Sequence, residues 1–111
     1  MYWVKYHLNH LRDWRRAVEA VSRALKDLAA DAEAYVIGGA AEGRLTALSD
    51  IDVLICVGSS RSRGELARLR RRILARAMDE YGLPWDYPVE LHVYAREDCE
   101  GILKRARKIQ L

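Results

Sequence analysis

Residues 37–57 read IGGAAEGRLTALSDIDVLICV, and this stretch decides the fold. A Gly-Gly pair at 38–39 follows a short apolar run. The strongly apolar run 51–57 begins a dozen residues later with two aspartates, Asp50 and Asp52. Side chains two positions apart on a strand point to the same face, about 7 Å apart along the backbone. Because the rest of the run is continuously apolar, we expect it to be a strand buried on both faces.

The two carboxylates need a physical reason to lie together at the edge of a core. Like charges there are unfavourable unless a positive charge lies between them. A third acid, Glu90, lies in the apolar run 89–94 and shares a face with His92. Carboxylate oxygens suit Mg²⁺ or Mn²⁺, so Asp50, Asp52 and Glu90 are candidate metal ligands. The alternative is that Asp50 caps a turn and Asp52 is a solvated strand end.

The Gly-Gly pair adds a second kind of site. Without Cβ atoms, the backbone at Gly38 and Gly39 can turn sharply and approach a ligand closely. If Ala40 opens a short helix, the free N–H groups at its start favour an anion. Phosphates near the glycines and metals at the acids together predict a nucleotide site.

Composition restricts the class of protein. The chain has 111 residues, about half of them hydrophobic and a third charged, which is typical of one globular domain spanning 1–111. No apolar run reaches the length of a membrane span, and no signal peptide is evident. Cys56 and Cys99 lack metal-ligand spacing and are interpreted as reduced thiols of a cytoplasmic protein. Asn9 and Gln110 are the only side-chain amides, a pattern that favours a thermophilic source.

Basic residues are concentrated in two segments, although the net charge is only +3. The first segment spans 61–76 and the second spans 104–108. A solvated helix face is the simpler interpretation. The alternative is a surface for phosphate, RNA or an acidic protein partner.

Apolar periodicity and turn residues predict an α/β fold in the order α-β-β-α-β-α, with helices packed on a small mixed sheet. Ser62 and Glu65 have the spacing of a capping box, and Gly82 and Pro84 end the helix that follows. The expected elements are a long helix over about 8–30, strands 34–37 and 51–57, a helix that follows the Ser62 cap and is closed by Gly82, strand 89–94 and a short basic helix from about Glu97. The catalytic core is expected over about 34–95.

Gly38-Gly39, Asp50-Ile51-Asp52 and Glu90 together resemble the motif of the minimal nucleotidyltransferases (MNT) of the DNA polymerase β-like superfamily. The resemblance implies a palm-like core that transfers a nucleoside monophosphate from an NTP, with ATP expected, to an acceptor hydroxyl. It implies two Mg²⁺ ions, or Mn²⁺, held by Asp50, Asp52 and Glu90, which would be the catalytic residues. It also implies phosphate contacts from Gly38 and Gly39, to which Arg44 and Ser49 are candidate additions.

The resemblance also implies a partner, because MNT proteins commonly act as antitoxins of helical HEPN toxins. In some systems they adenylylate a tyrosine of the toxin. Many relatives read Gly-Ser-Arg-x-Arg-Gly where this chain reads Gly-Gly-Ala-Ala-Glu-Gly at 38–43. Two alternatives therefore stay open: a degenerate module that neutralises its partner by contact, and a transferase acting on RNA or a small molecule through segment 61–76. Apolar surface on the first helix is a candidate interface for a homodimer or, equally, for the toxin.

Overall fold

The computed structural model describes residues 14–44, 50–58 and 61–111. The elements, in chain order, are α1 (Trp14–Leu28), β1 (Glu33–Ile37), α2 (Gly38–Ala41), β2 (Ile51–Val57), α3 (Arg63–Tyr81), β3 (Val89–Ala95), α4 (Arg96–Arg105) and β4 (Lys108–Gln110). The expected α/β class is confirmed. The part of the first helix predicted over residues 8–13 lies outside the described residues.

The strands form a mixed four-stranded sheet in the order β3-β2-β1-β4. β1 pairs antiparallel with β2 and with β4, whereas β2 and β3 are parallel. Parallel neighbours need a long crossover connection, which α3 provides. The backbone N–H of Ile51 donates to the carbonyl of Pro88 at 2.7 Å, so the leading ends of β2 and β3 are held side by side.

β2 is the buried centre of the sheet. Ile51, Val53 and Ile55 are completely buried on one face, beneath α1 and α3. Leu54 and Cys56 are buried on the other face. The prediction that this strand is covered on both faces is therefore confirmed, apart from its half-exposed Asp52.

The two long helices pack on the same face of the sheet. The buried stripe of α1 follows the predicted spacing, with Trp14, Val18, Val21 and Leu25 in the core. α3 begins at the predicted capping box, in which Ser62 Oγ accepts from the N–H of Glu65 at 3.2 Å. The Glu65 carboxylate in turn accepts from the N–H of Ser62.

Asp27 links the outer surfaces of the two long helices. Its carboxylate accepts hydrogen bonds from the Tyr81 hydroxyl and, at 2.7 Å, from the Arg76 guanidinium. These two donors lower the pKa of Asp27, the tyrosine having the larger effect. The same hydrogen bond raises the pKa of Tyr81.

Within the described residues, the opposite face of the sheet is covered by α4. Tyr35, Leu54, Cys56 and Cys99 form its buried cluster. Cys56 and Cys99 are joined by a disulfide that ties β2 to α4. The interpretation of both residues as reduced thiols was therefore wrong. Sequence spacing could not reveal the pair, because the two cysteines are 43 positions apart and meet only when α4 folds back over the sheet.

Two short elements were absent from the predicted order. α2 has four residues, and β4 has three. Segments this short have too few residues to display a periodic pattern. Within the described residues, no helix has the length and apolar character required to cross a membrane.

Candidate functional site

Strand register brings the second aspartate and the third acid together. Asp52 of β2 is the direct partner of Glu90 in β3. Directly opposed residues of neighbouring strands share a face, and the strands lie only about 5 Å apart. Two carboxylates from segments nearly 40 residues apart in sequence thus become neighbours on the face that α4 covers.

His92 completes a group of three potential ligands. Its Nε2 lies 3.1 Å from Asp52 Oδ1, within hydrogen-bonding distance. One ligand atom from each of Asp52, Glu90 and His92 lies within 4.8 Å of the other two. The Asp52 and His92 side chains are each about 30% exposed, so the group is sheltered but open to solvent. From the sequence, His92 is expected only on the same face as Glu90; the parallel register brings it to Asp52.

The first glycine of the pair fits closely against this group. Gly38 has φ +69°, and a Cβ built there would lie 2.8 Å from Asp52 Oδ2. Only glycine combines the left-handed backbone with the absence of a side chain that this approach requires. Gly38 begins α2, so the Gly-Gly turn and the Asp52 carboxylate are in direct contact.

The other residues predicted to contact phosphate are Gly39, Arg44 and Ser49. Gly39 lies in α2, and its carbonyl accepts from the N–H of Arg44 at 2.7 Å. The Arg44 guanidinium forms an ion pair with Glu42 at 2.8 Å on the exposed surface. Ser49 lies outside the described residues.

Asp50 is exposed and lies directly before β2. Among the described residues, its carboxylate is not part of the group formed by Asp52, Glu90 and His92. The assignment of Asp50, Asp52 and Glu90 as catalytic residues and metal ligands stays a prediction.

The donor set matches the chemistry of a divalent cation. Two carboxylates and one imidazole suit Mn²⁺ and related ions, and carboxylates with water suit Mg²⁺. The three donor atoms are close enough to contact one ion together. Asp52 is also part of the Gly-Gly contact, so an ion held there would lie beside the turn.

Neither the cavity beside α1 nor the first basic segment belongs to this site. This cavity measures about 560 Å³ and lies between α1 and residues 80–87. The segment 61–76 lies mostly on α3, which packs on the opposite face of the sheet. This placement disfavours a role for that segment in holding an acceptor at the carboxylates.

Comparison with known families agrees with this geometry. The family model described as "Nucleotidyltransferase domain" matches residues 18–109, most of the chain. Comparisons with curated proteins and with solved structures give no significant match. The matched region includes the Gly-Gly turn, Asp50, Asp52 and Glu90. The chain belongs to the nucleotidyltransferase domain family.

Proposed function

We propose that the protein transfers the nucleoside monophosphate of an NTP, with ATP as the donor, to an acceptor hydroxyl. The observation that carries the proposal is the contact of the Gly38 turn with Asp52, beside Glu90. A nucleotide needs both features at one place, because its phosphates require N–H donors while its metal ions require carboxylates.

The roles of the residues follow from their chemistry. Asp52 and Glu90 would hold a divalent cation, with Asp50 as a further ligand at the start of β2. A bound Mg²⁺ or Mn²⁺ supplies charge neutralisation of the phosphates. Gly38 and Gly39 would bind phosphate oxygens through backbone N–H groups. His92 would orient Asp52 by donating to its carboxylate or would offer its nitrogen as a ligand.

We also propose that the acceptor is a protein hydroxyl, on a helical HEPN-type toxin that this chain would neutralise as its antitoxin. The proposal rests on the likeness of the motif to minimal nucleotidyltransferases. The open position of the carboxylates supports a macromolecular acceptor, since Asp52 is partly exposed and Glu90 exposed. A polypeptide segment could therefore reach them without a deep pocket.

Calorimetric titration with ATP and Mg²⁺ tests the nucleotide site. Asp52→Asn and Glu90→Gln should each abolish metal-dependent binding. Glu97→Gln removes the same charge from an exposed position of α4 and serves as the matched control. Binding that persists in both site variants would overturn the assignment of the two acids.

Labelled ATP tests the transfer itself. With [α-³²P]ATP and a purified HEPN partner, label should appear on the partner and depend on Asp52. If the protein suppresses the partner's ribonuclease equally well with Asp52→Asn, neutralisation is by contact and the transfer proposal fails.

A further inference from the structure

The second basic segment, 104–108, has no role in the site described so far, yet the fold brings it to that site. Its last residue, Lys108, opens β4, the edge strand beside β1. Lys108 is the register partner of Ile37, and Ile37 is the register partner of Asp52. Asp52 in turn pairs with Glu90. The four residues therefore form one row across the sheet, from Glu90 to Lys108.

Side chains in such a row lie on the same face of the sheet. One contact of Ile37 and one of Lys108 agree with this placement. Ile37 packs with the cluster beneath α4. The Lys108 ammonium donates to the carbonyl of Leu103, in α4, at 2.9 Å. Lys108 is thus on the carboxylate face, two strand spacings or about 10 Å from Asp52 between Cα atoms.

The Gly-Gly turn lies within the same neighbourhood. α2, which begins at Gly38, contacts both β2 and β4. The helix that the turn opens therefore lies near the strand of Asp52 and near the strand of Lys108. Arg44, the cation nearest to the turn in sequence, is already paired with Glu42.

We propose that Lys108 is a phosphate-binding residue that recognises the outer phosphates of a nucleoside triphosphate, on the side of the Gly-Gly turn away from Asp52. The inference rests on the proposed nucleotide site. An ammonium group has three donors, and the bond to Leu103 uses one of them. The remaining N–H groups are held on the carboxylate face by that bond, so they can contact phosphate oxygens with little loss of side-chain freedom.

Equilibrium titrations with Mg·ATP and with Mg·tripolyphosphate test the inference. Lys108→Gln should weaken both by about tenfold, the loss expected for one charge-assisted hydrogen bond. Lys108→Arg should recover most of the affinity. Lys26→Gln, which makes the same change on α1 across the sheet, is the matched control. Binding of AMP should be unaffected by Lys108→Gln, because AMP lacks the outer phosphates, whereas a general structural effect would weaken it too.

The outcomes separate this inference from the proposed function. If the wild type binds Mg·ATP through Asp52 and Lys108→Gln binds it equally well, the Lys108 assignment is wrong and the nucleotide site stands. If tripolyphosphate binds through Lys108 but no NTP binds, the phosphate site stands and the nucleotidyl-transfer proposal fails. If the wild type binds neither probe, both are overturned.

Discussion

On one face of β2, Ile51, Val53 and Ile55 are completely buried beneath α1 and α3. On the other face, Asp52 lies at the leading end with its carboxylate about 30% exposed, and α4 is the described element that covers the remainder. The face under α1 and α3 is uniformly apolar, whereas the face under α4 changes along the strand from a carboxylate to a buried disulfide.

This difference explains how a small chain holds charge beside its core. A carboxylate taken fully from water would carry a large desolvation cost. α4 has only ten residues, and its buried Cys99 packs on the far half of β2, at Cys56. The leading half keeps contact with water, so Asp52 and Glu90 remain hydrated there. The other face supplies most of the hydrophobic stabilisation.

Truncation of a buried β2 side chain beneath α1 and α3 should have the largest effect on stability. Ile55→Ala should lower the free energy of unfolding by about 2–5 kcal/mol, because it leaves a cavity between β2 and the two long helices. Ile109→Ala deletes the same atoms from an exposed position of β4 and should cost much less. Denaturant unfolding measures both. Equal losses of unfolding free energy in the two variants would contradict the conclusion that the face under α1 and α3 supplies most of the hydrophobic stabilisation.

Loss of the disulfide should have the next largest effect. The double substitution Cys56→Ala/Cys99→Ala should lower the free energy of unfolding by about 2–4 kcal/mol, since the bridge closes a loop of 43 positions. Reduction of the wild type should lower its stability similarly and leave the double variant unchanged. A wild type insensitive to reductant would show that the bridge does not form in solution.

Gly38→Ala tests the contact between the turn and Asp52. Gly38 and Gly43 both have positive φ, but an added Cβ at Gly43 meets nothing within 4 Å. Each alanine should cost about 1 kcal/mol for its backbone conformation. Only Gly38→Ala should also weaken divalent-ion binding, measured by calorimetry, because its Cβ displaces the Asp52 carboxylate. Equal binding in the two variants would contradict a functional contact there.

The smallest expected effect on stability comes from Asp27, on the outer surface of the two long helices. Asp27 has a pKa below its ordinary value of 3.8, so it stabilises the fold above that pH and loses this contribution as pH falls through the lowered pKa. Tyr81, with a raised pKa, loses its contribution as pH rises above 10. Urea unfolding across acidic pH should show a shallower loss of stability in Asp27→Asn. Tyr81→Phe should reduce this acid-dependent loss of stability in part, since Arg76 still donates to Asp27. If the loss of stability at acidic pH is the same in Asp27→Asn as in the wild type, Asp27 does not contribute to it.

Local signals in the sequence were sufficient for most elements. Ser62 and Glu65 specify the start of α3, and Gly82, at φ +75°, ends it as expected. The apolar run 51–57 specifies β2 because few other segments could fill the centre of a small sheet. α2 and β4 were not predicted, since each is too short to reveal a period and is fixed by pairing with other strands or turns.

The sequence suggested the chemistry of the candidate site and two of its grouped residues, Asp52 and Glu90, but not the grouping itself. The acids and the Gly-Gly pair indicated metal and phosphate chemistry. The neighbours of Asp52 are set by register, which brings in Glu90 and His92 from β3 while Asp50 remains outside that group. Register depends on how whole faces pack, not on the residues immediately around a carboxylate.

The sequence by itself determined the longer strands and helices, and that carboxylates begin the central strand, because these properties follow from local periodicity and turn chemistry. Only the tertiary structure decided that β2 lies parallel to β3, that Cys56 bonds to Cys99, and that Lys108 lies in the same row as Asp52. Such contacts join residues that are distant along the chain. They are selected by the packing of α3 and α4 on opposite faces of one sheet, an outcome that no single stretch of sequence specifies.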